Sequence, residues 1–222
     1  AMHVFSLKFP KARFFWRKIL HMTAISICAY VVNQHVLIDL LFWVFLLCAL
    51  ILAFAVYFKW LNFSKGDSWG IALFPLAFAC LILLPVDHEI VVSAIYVLAF
   101  ADAGAGLIGR TWGKQWLPLA EEKSWLGSLV FVLIAWVVLF TRHGGELNWI
   151  ILVVVAIAIS GLEMFSWKGS DNALIPLGTA LFLSSVSKMN PSYPLLLSIL
   201  LIYLALSFIM LKRKWLSTSG II

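Results

Sequence analysis

Eight apolar runs, each close to bilayer-crossing length, follow one another along this chain with short polar breaks between them. They fall at roughly 12–32, 36–58, 69–86, 88–108, 124–141, 147–163, 172–188 and 194–211. A spanning helix needs roughly 20 apolar residues, and inside hydrocarbon every backbone N–H and C=O must be satisfied by its own segment. The runs therefore predict an all-α fold, a polytopic membrane helix bundle of about eight transmembrane helices. It forms a single integral-membrane domain over 1–222, with a basic N-terminal segment 1–18 and a short basic tail 212–222. No stretch is left for a separate soluble domain, so any chemistry falls to helix ends and loops. Composition agrees: 64% of residues are hydrophobic and 12% charged, against about 25% charged in soluble domains. A water-soluble enzyme, a disordered chain and a disulfide scaffold are excluded.

Two runs are irregular. Arg17, Lys18 and His21 interrupt the start of the first, which works as a span if Arg17 and Lys18 snorkel to the interface beside Phe14, Phe15 and Trp16. The seventh is short and carries Pro176 and Gly178, marking it as broken or only partly lipid-exposed. Ala1-Met2 reads as a remnant ahead of or overlapping the native start, and with no small-residue cleavage site after it the first run reads as a retained helix. Cys28, Cys48 and Cys80 lie inside apolar runs without metal-ligand spacing and read as packing thiols.

Charge gives sidedness. Of the 16 Lys and Arg residues, only Arg142 and Lys188 fall in one set of alternate loops; all the others fall in the other set. The positive-inside rule places both termini in the cytoplasm and supports an even number of spans. Asp102, Arg110, Lys114, Lys123, Ser124, Glu163, Asp171 and Asn172 then share the cytoplasmic side with Arg17, Lys18 and His21. A chain that handles a cytoplasmic, water-soluble substrate would gather its polar groups in this way.

Within that set, Asp102, Gly106, Gly109 and Gly113 are spaced at i, i+4, i+7 and i+11, one helical face. A carboxylate inside a membrane helix is costly unless paired or functional. Glycines on its face admit either another helix backbone or a phosphate. Ser124 is placed to cap the fifth span beside Lys123, an arrangement that serves an ordinary cap or a bound phosphate. Asp171 or Asn172 is placed to cap the seventh. Asp102, Glu163 and Asp171 lie at one membrane depth, as Mg²⁺ held against phosphates would need. Arg17, Lys18 and His21 form one basic helix face, suited to phosphate or to simple surface anchoring.

With these residues assembled, the chain resembles the membrane-embedded polyprenol kinases, the family of dolichol, phytol and farnesol kinases, and the related CTP-using diacylglycerol kinases. Four blocks carry the resemblance in order. The first is Arg17-Lys18-Ile19-Leu20-His21, and the second runs from Ala101-Asp102-Ala103 to Gly109-Arg110 and Gly113-Lys114. The third is Lys123-Ser124 with Gly127-Ser128, and the fourth Glu163 with Asp171-Asn172 and Pro176. Ala101 stands where many relatives have Gly, and Trp125-Leu126 replaces a pair that commonly includes an acidic residue.

The resemblance implies a CTP-dependent kinase. It would transfer the γ-phosphoryl of CTP, with Mg²⁺, to the hydroxyl of an isoprenoid alcohol such as phytol, geranylgeraniol, farnesol or a polyprenol. Asp102, Lys123, Glu163 and Asp171 would be catalytic, with Asp102, Glu163 and Asp171 on the metal. Arg17, Lys18, His21, Gly106, Gly109, Arg110, Lys114, Ser124 and Asn172 would bind nucleotide and phosphate. The partners are then a lipid alcohol, a nucleoside triphosphate and membrane lipids, without nucleic acid, and a prokaryotic plasma membrane is the default location. The alternatives are a CTP-dependent diacylglycerol kinase, a CDP-lipid cytidylyltransferase, and, from another class, a small-molecule transporter. Transport usually places polar groups near the bilayer midplane, whereas here they gather toward one interface.

Overall fold

The computed structural model describes residues 10–34, 38–60, 68–113, 116–117, 120–166 and 169–188. The eighth apolar run, both terminal segments and Lys114 lie outside the described residues. The first seven runs each become a helix. These are α1 (Pro10–Asn33), α2 (Ile38–Tyr57), α3 (Ser68–Leu83), α4 (His88–Trp112), α5 (Trp125–His143), α6 (Trp149–Phe165) and α7 (Asp171–Lys188). Among them α2, α4 and α5 are long and apolar enough to cross a membrane, and Lys18–Asn33, Trp69–Leu83 and Trp149–Met164 are shorter apolar helical stretches.

One short element departs from the all-α expectation. Trp116–Leu117 (β1) and Ala120–Ser124 (β2) pair antiparallel ahead of α5, with an irregular register between Trp116 and Leu117. This ribbon delivers Lys123 and Ser124 to the start of α5.

Helix α4 is the hub. In its most apolar stretch 72% of residues are buried, against 11% for α2, and α1, α5 and α7 all pack on it. The core it anchors includes Leu98, Phe131, Leu139, Ile159, Leu162 and Leu183. Lipid tails are as apolar as these side chains, so close packing at small residues has to hold the helices together. A Cβ on Gly104 would stand 2.3 Å from Ile134 Cδ1, and one on Gly178 would stand 2.1 Å from Leu162 Cδ1.

Gly178 thus serves the α6–α7 contact, and α7 runs unbroken through Pro176, so of the two readings of that run, broken or only partly lipid-exposed, the break does not hold. Pro176 lies early enough in the helix to forfeit just one intrahelical bond, the one its missing N–H would make to residue 172. In α4 the α-helical pattern is interrupted by a π-helical segment, Val97–Asp102, which ends on the buried carboxylate. Such inserted residues shift the face that a helix presents downstream.

The helices alternate in direction, so the polar groups sort to the two ends. At one end Arg142 donates to Glu89, and Ser93 and His143 form a buried 2.8 Å hydrogen bond, tying α4 to α5. The other end holds the residues singled out above.

Candidate active site

Five charged side chains from five elements meet at that end. Lys18 Nζ on α1 donates to Asp102 Oδ2 on α4 at 2.6 Å. Lys123 Nζ on β2 donates to Glu163 Oε1 near the end of α6. It also lies 4.0 Å from Asp171 Oδ2 at the start of α7. Asp102 is 7% exposed and Glu163 4%. Carboxylates this deep are tolerable because each faces an ammonium, and the ammoniums come from the interfacial segments. Burial works against the charge on Lys123. The fields of Glu163 and Asp171, the hydrogen bond to Glu163 and the field of Asp102 outweigh it, and its pKa is raised above the ordinary lysine value.

The electrostatic sum is uneven: three carboxylates face Lys18 and Lys123. Glu163 Oε2 is buried and has no hydrogen-bond partner among the described residues. The site therefore carries surplus negative charge, which suits a cation, and one carboxylate oxygen left open to a hydrogen-bond donor. The described residues contain no group of three His, Cys, Asp or Glu side chains arranged to hold a metal ion, so Asp102, Glu163 and Asp171 do not form a three-carboxylate shell as they stand. One or two of them with phosphate oxygens would be the ordinary coordination for Mg²⁺.

Several residues expected to hold phosphate have structural partners instead. Ser124 accepts from Gly127 N at 3.1 Å as the cap of α5 and donates to Gly109 O at 3.3 Å. A Cβ on Gly109 would stand 2.8 Å from Ser124 Oγ and 3.1 Å from Gly127 Cα, and one on Gly113 would stand 2.4 Å from the same hydroxyl. The glycine face is filled by the head of α5. Its packing alternative holds at Gly109 and Gly113, while Asp102 turns to α1 and Gly106 is only partly buried. Asn172 donates through Nδ2 to Gly70 O at 3.0 Å, fastening α7 to the start of α3. The Asp171 carboxylate accepts from Asn172 N at 3.0 Å.

The remaining basic residues divide. His21 is half-buried with its ring 5.7 Å from that of Phe74. Arg110 is exposed on the last turn of α4, where a cation also complements the helix dipole. Arg17 lies on α1, one residue before Lys18.

The structure adds residues that sequence spacing did not single out. Gly70 receives Asn172, and a Cβ there would stand 2.7 Å from Gly169 Cα. Ser166 caps α6, donating to Glu163 O at 2.7 Å, and its hydroxyl lies 3.5 Å from Lys123 Nζ. Ser160 donates to Ser128 O at 3.4 Å across the α5–α6 contact. A serine in an apolar run gives no sign of such a role until its neighbours are known.

Three curated relatives match the chain over part of its length. It is 42% identical over 93 residues to a phytol kinase of Synechocystis, covering 39% of this chain and 40% of that protein. Proteins named CTP-dependent diacylglycerol kinase 1 match from Schizosaccharomyces pombe, at 28% over 134 residues, and from Saccharomyces cerevisiae, at 26% over 127. These two matches cover 54% and 46% of this chain and 62% and 43% of the relatives. The chain thus spans between 40% and 62% of the length of these relatives. No family model and no solved structure matches it. The sequence relationship is to lipid kinases, two of them named for their use of CTP.

Proposed function

We propose that this chain is a membrane-embedded lipid-alcohol kinase that transfers the γ-phosphoryl of CTP to the hydroxyl of an isoprenoid alcohol, releasing CDP and the lipid monophosphate. The observation that carries the reading is the buried cluster in which Lys18 and Lys123 meet Asp102, Glu163 and Asp171. Similarity to a phytol kinase and to two CTP-dependent diacylglycerol kinases supports the reaction class and the donor. The bundle would have about eight spans with both termini cytoplasmic. The cluster would then face the cytoplasm, where CTP is found, and a prokaryotic plasma membrane is the proposed setting.

Phosphoryl transfer asks an enzyme mainly for positioning and charge neutralisation. In the resting arrangement each ammonium holds a carboxylate. An arriving triphosphate offers Lys18 and Lys123 stronger anionic partners, with Arg110 and Arg17 on the helix ends nearby. The carboxylates released by that exchange are Asp102, Glu163 and Asp171, one or two of which would hold Mg²⁺ beside the phosphates. When bound, the ion neutralises charge on the transferring group. Asp102 is the leading candidate for metal ligand or base. In the resting arrangement its carboxylate partners hold the Lys123 pKa up, so it meets the triphosphate protonated. The Ser124 cap and the Gly109–Gly127 contact fix the ribbon that presents Lys123.

A second acceptor has specific support: two of the three relatives are named for diacylglycerol. Purified protein given Mg²⁺, γ-labelled CTP or ATP, and a panel of phytol, geranylgeraniol, farnesol, longer polyprenols and diacylglycerol decides between them. The expected result is label in an isoprenoid alcohol with CTP. Asp102→Asn, which keeps an acceptor for Lys18, should insert and melt like the parent yet lose at least about 100-fold in rate, the scale of losing one well-placed charge-stabilising group. A normal rate in that variant would remove Asp102 from the chemistry.

A further inference from the structure

Two polar atoms in the α5–α6 seam lack hydrogen-bond partners among the described residues, Glu163 Oε2 and Ser128 Oγ. Both residues are over nine-tenths buried. Buried polar groups are almost always satisfied, and leaving one unmade carries the full desolvation penalty. Two in one seam call for an occupant. Their neighbours tie them together: Ser160, one turn before Glu163 on α6, donates to the carbonyl of Ser128 on α5, while the other oxygen of Glu163 takes Lys123 at the head of α5. The seam therefore runs inward from the phosphate-binding lysine through Glu163 and Ser160 to Ser128. The buried apolar residues Phe131 on α5 and Ile159 on α6 follow further along the two helices.

Chemistry narrows the occupant. An anion is repelled by an unpaired carboxylate oxygen. A metal ion finds one carboxylate oxygen and a neutral hydroxyl, a poor set, and no three-ligand group stands there among the described residues. An alcohol hydroxyl offers each atom what it lacks, a donor for Glu163 Oε2 and an acceptor for the Ser128 hydroxyl, and its tail is compatible with the apolar side chains around them. We propose that this seam is the subsite for the acceptor's alcohol group, with Glu163 and Ser128 as its hydrogen-bond partners. The assignment rests on the kinase reading and deepens it, since it sets the hydroxyl beside the ammonium of Lys123 that would steady the transferring phosphate.

The test uses the full chain in nanodiscs and the variant Ser128→Ala, which removes a hydroxyl with no partner among the described residues. Its melting temperature should not fall. In steady-state kinetics with Mg-CTP and the alcohol accepted by the parent protein, the KM for the alcohol should rise roughly three- to tenfold, the worth of one hydrogen bond. The KM for CTP should stay within about twofold on the same scale. Without nucleotide, phytol should raise the parent's melting temperature more than that of Ser128→Ala, and a hydrocarbon of equal length lacking the hydroxyl should raise neither. A variant that melts lower with an unchanged alcohol KM makes Ser128 a structural residue and overturns the assignment, as does a rise confined to the CTP KM. Should the parent label no lipid, the kinase reading fails separately, and the phytol–hydrocarbon comparison still decides whether an alcohol binds the seam. Equal stabilisation of both proteins by phytol overturns it.

Discussion

Lys123 is the residue on which the site's charge balance turns. It holds Glu163, approaches Asp171 and feels Asp102, so its removal exposes three buried or half-buried carboxylates to one another. Lys123→Met should therefore cost about 3 kcal/mol of stability, the lower end for breaking a buried pair, because part of the Lys123 side chain remains exposed. Thermal unfolding in detergent measures this, and adding Glu163→Leu to the same chain should recover part of the loss. No recovery would mean that the two residues are not energetically paired. The pH dependence follows from the same contacts. The pKa of Lys123 is raised in the fold, so its contribution is fully present below its unfolded pKa of about 10.4 and is lost only as pH climbs through the higher folded value. Melting temperature followed from pH 7 upward should show no Lys123-dependent decline below about pH 10. A decline centred lower, present in the parent and absent from Lys123→Arg, would contradict the charge arrangement.

At the scale of elements, the contact between α4 and α5 carries the Lys123 ribbon, and glycine makes it possible. Gly109→Ala would drive a methyl into Ser124 Oγ and the Gly127 backbone, atoms with little room to give. It should lower stability by about 1–3 kcal/mol and activity with it. Gly161→Ala meets nothing within 4 Å among the described residues and should be neutral in both measurements, which makes it the matched control. Equal behaviour of the two variants would remove the contact from the account. The same elements show why some of this was legible beforehand. Hydrophobic runs and breakers place helix ends from local sequence, so each of the seven described helices coincides with an apolar run, and Ser124 was recognisable as a cap. Whether a glycine face meets a helix or a ligand depends on what packs there, which spacing cannot say. The partner of Asn172 is Gly70, 102 positions away, and no local pattern links them. The ribbon at 116–124 lacks the length and alternation that mark a strand in sequence.

For the whole molecule, a bundle with no separate soluble domain among its described residues concentrates its buried ionic chemistry at one end and leaves the other to a structural lock, Glu89 with Arg142 and Ser93 with His143. The grouping of Lys18, Asp102, Lys123, Glu163 and Asp171 followed from counting alternate loops, because helices that cross in alternation must return like-sided loops to one face. Which lysine meets which carboxylate did not follow, since that depends on how α1, α6 and α7 pack around the ribbon and α4. The reaction proposed for this cluster moves a phosphoryl group and not a nucleotidyl group. Parallel reactions with γ-labelled and α-labelled CTP, Mg²⁺ and the lipid panel test it most directly. Phosphoryl transfer gives lipid label from γ-labelled CTP alone, with CDP as the co-product. Lipid label from α-labelled CTP, with release of pyrophosphate, would contradict it and make the chain a cytidylyltransferase.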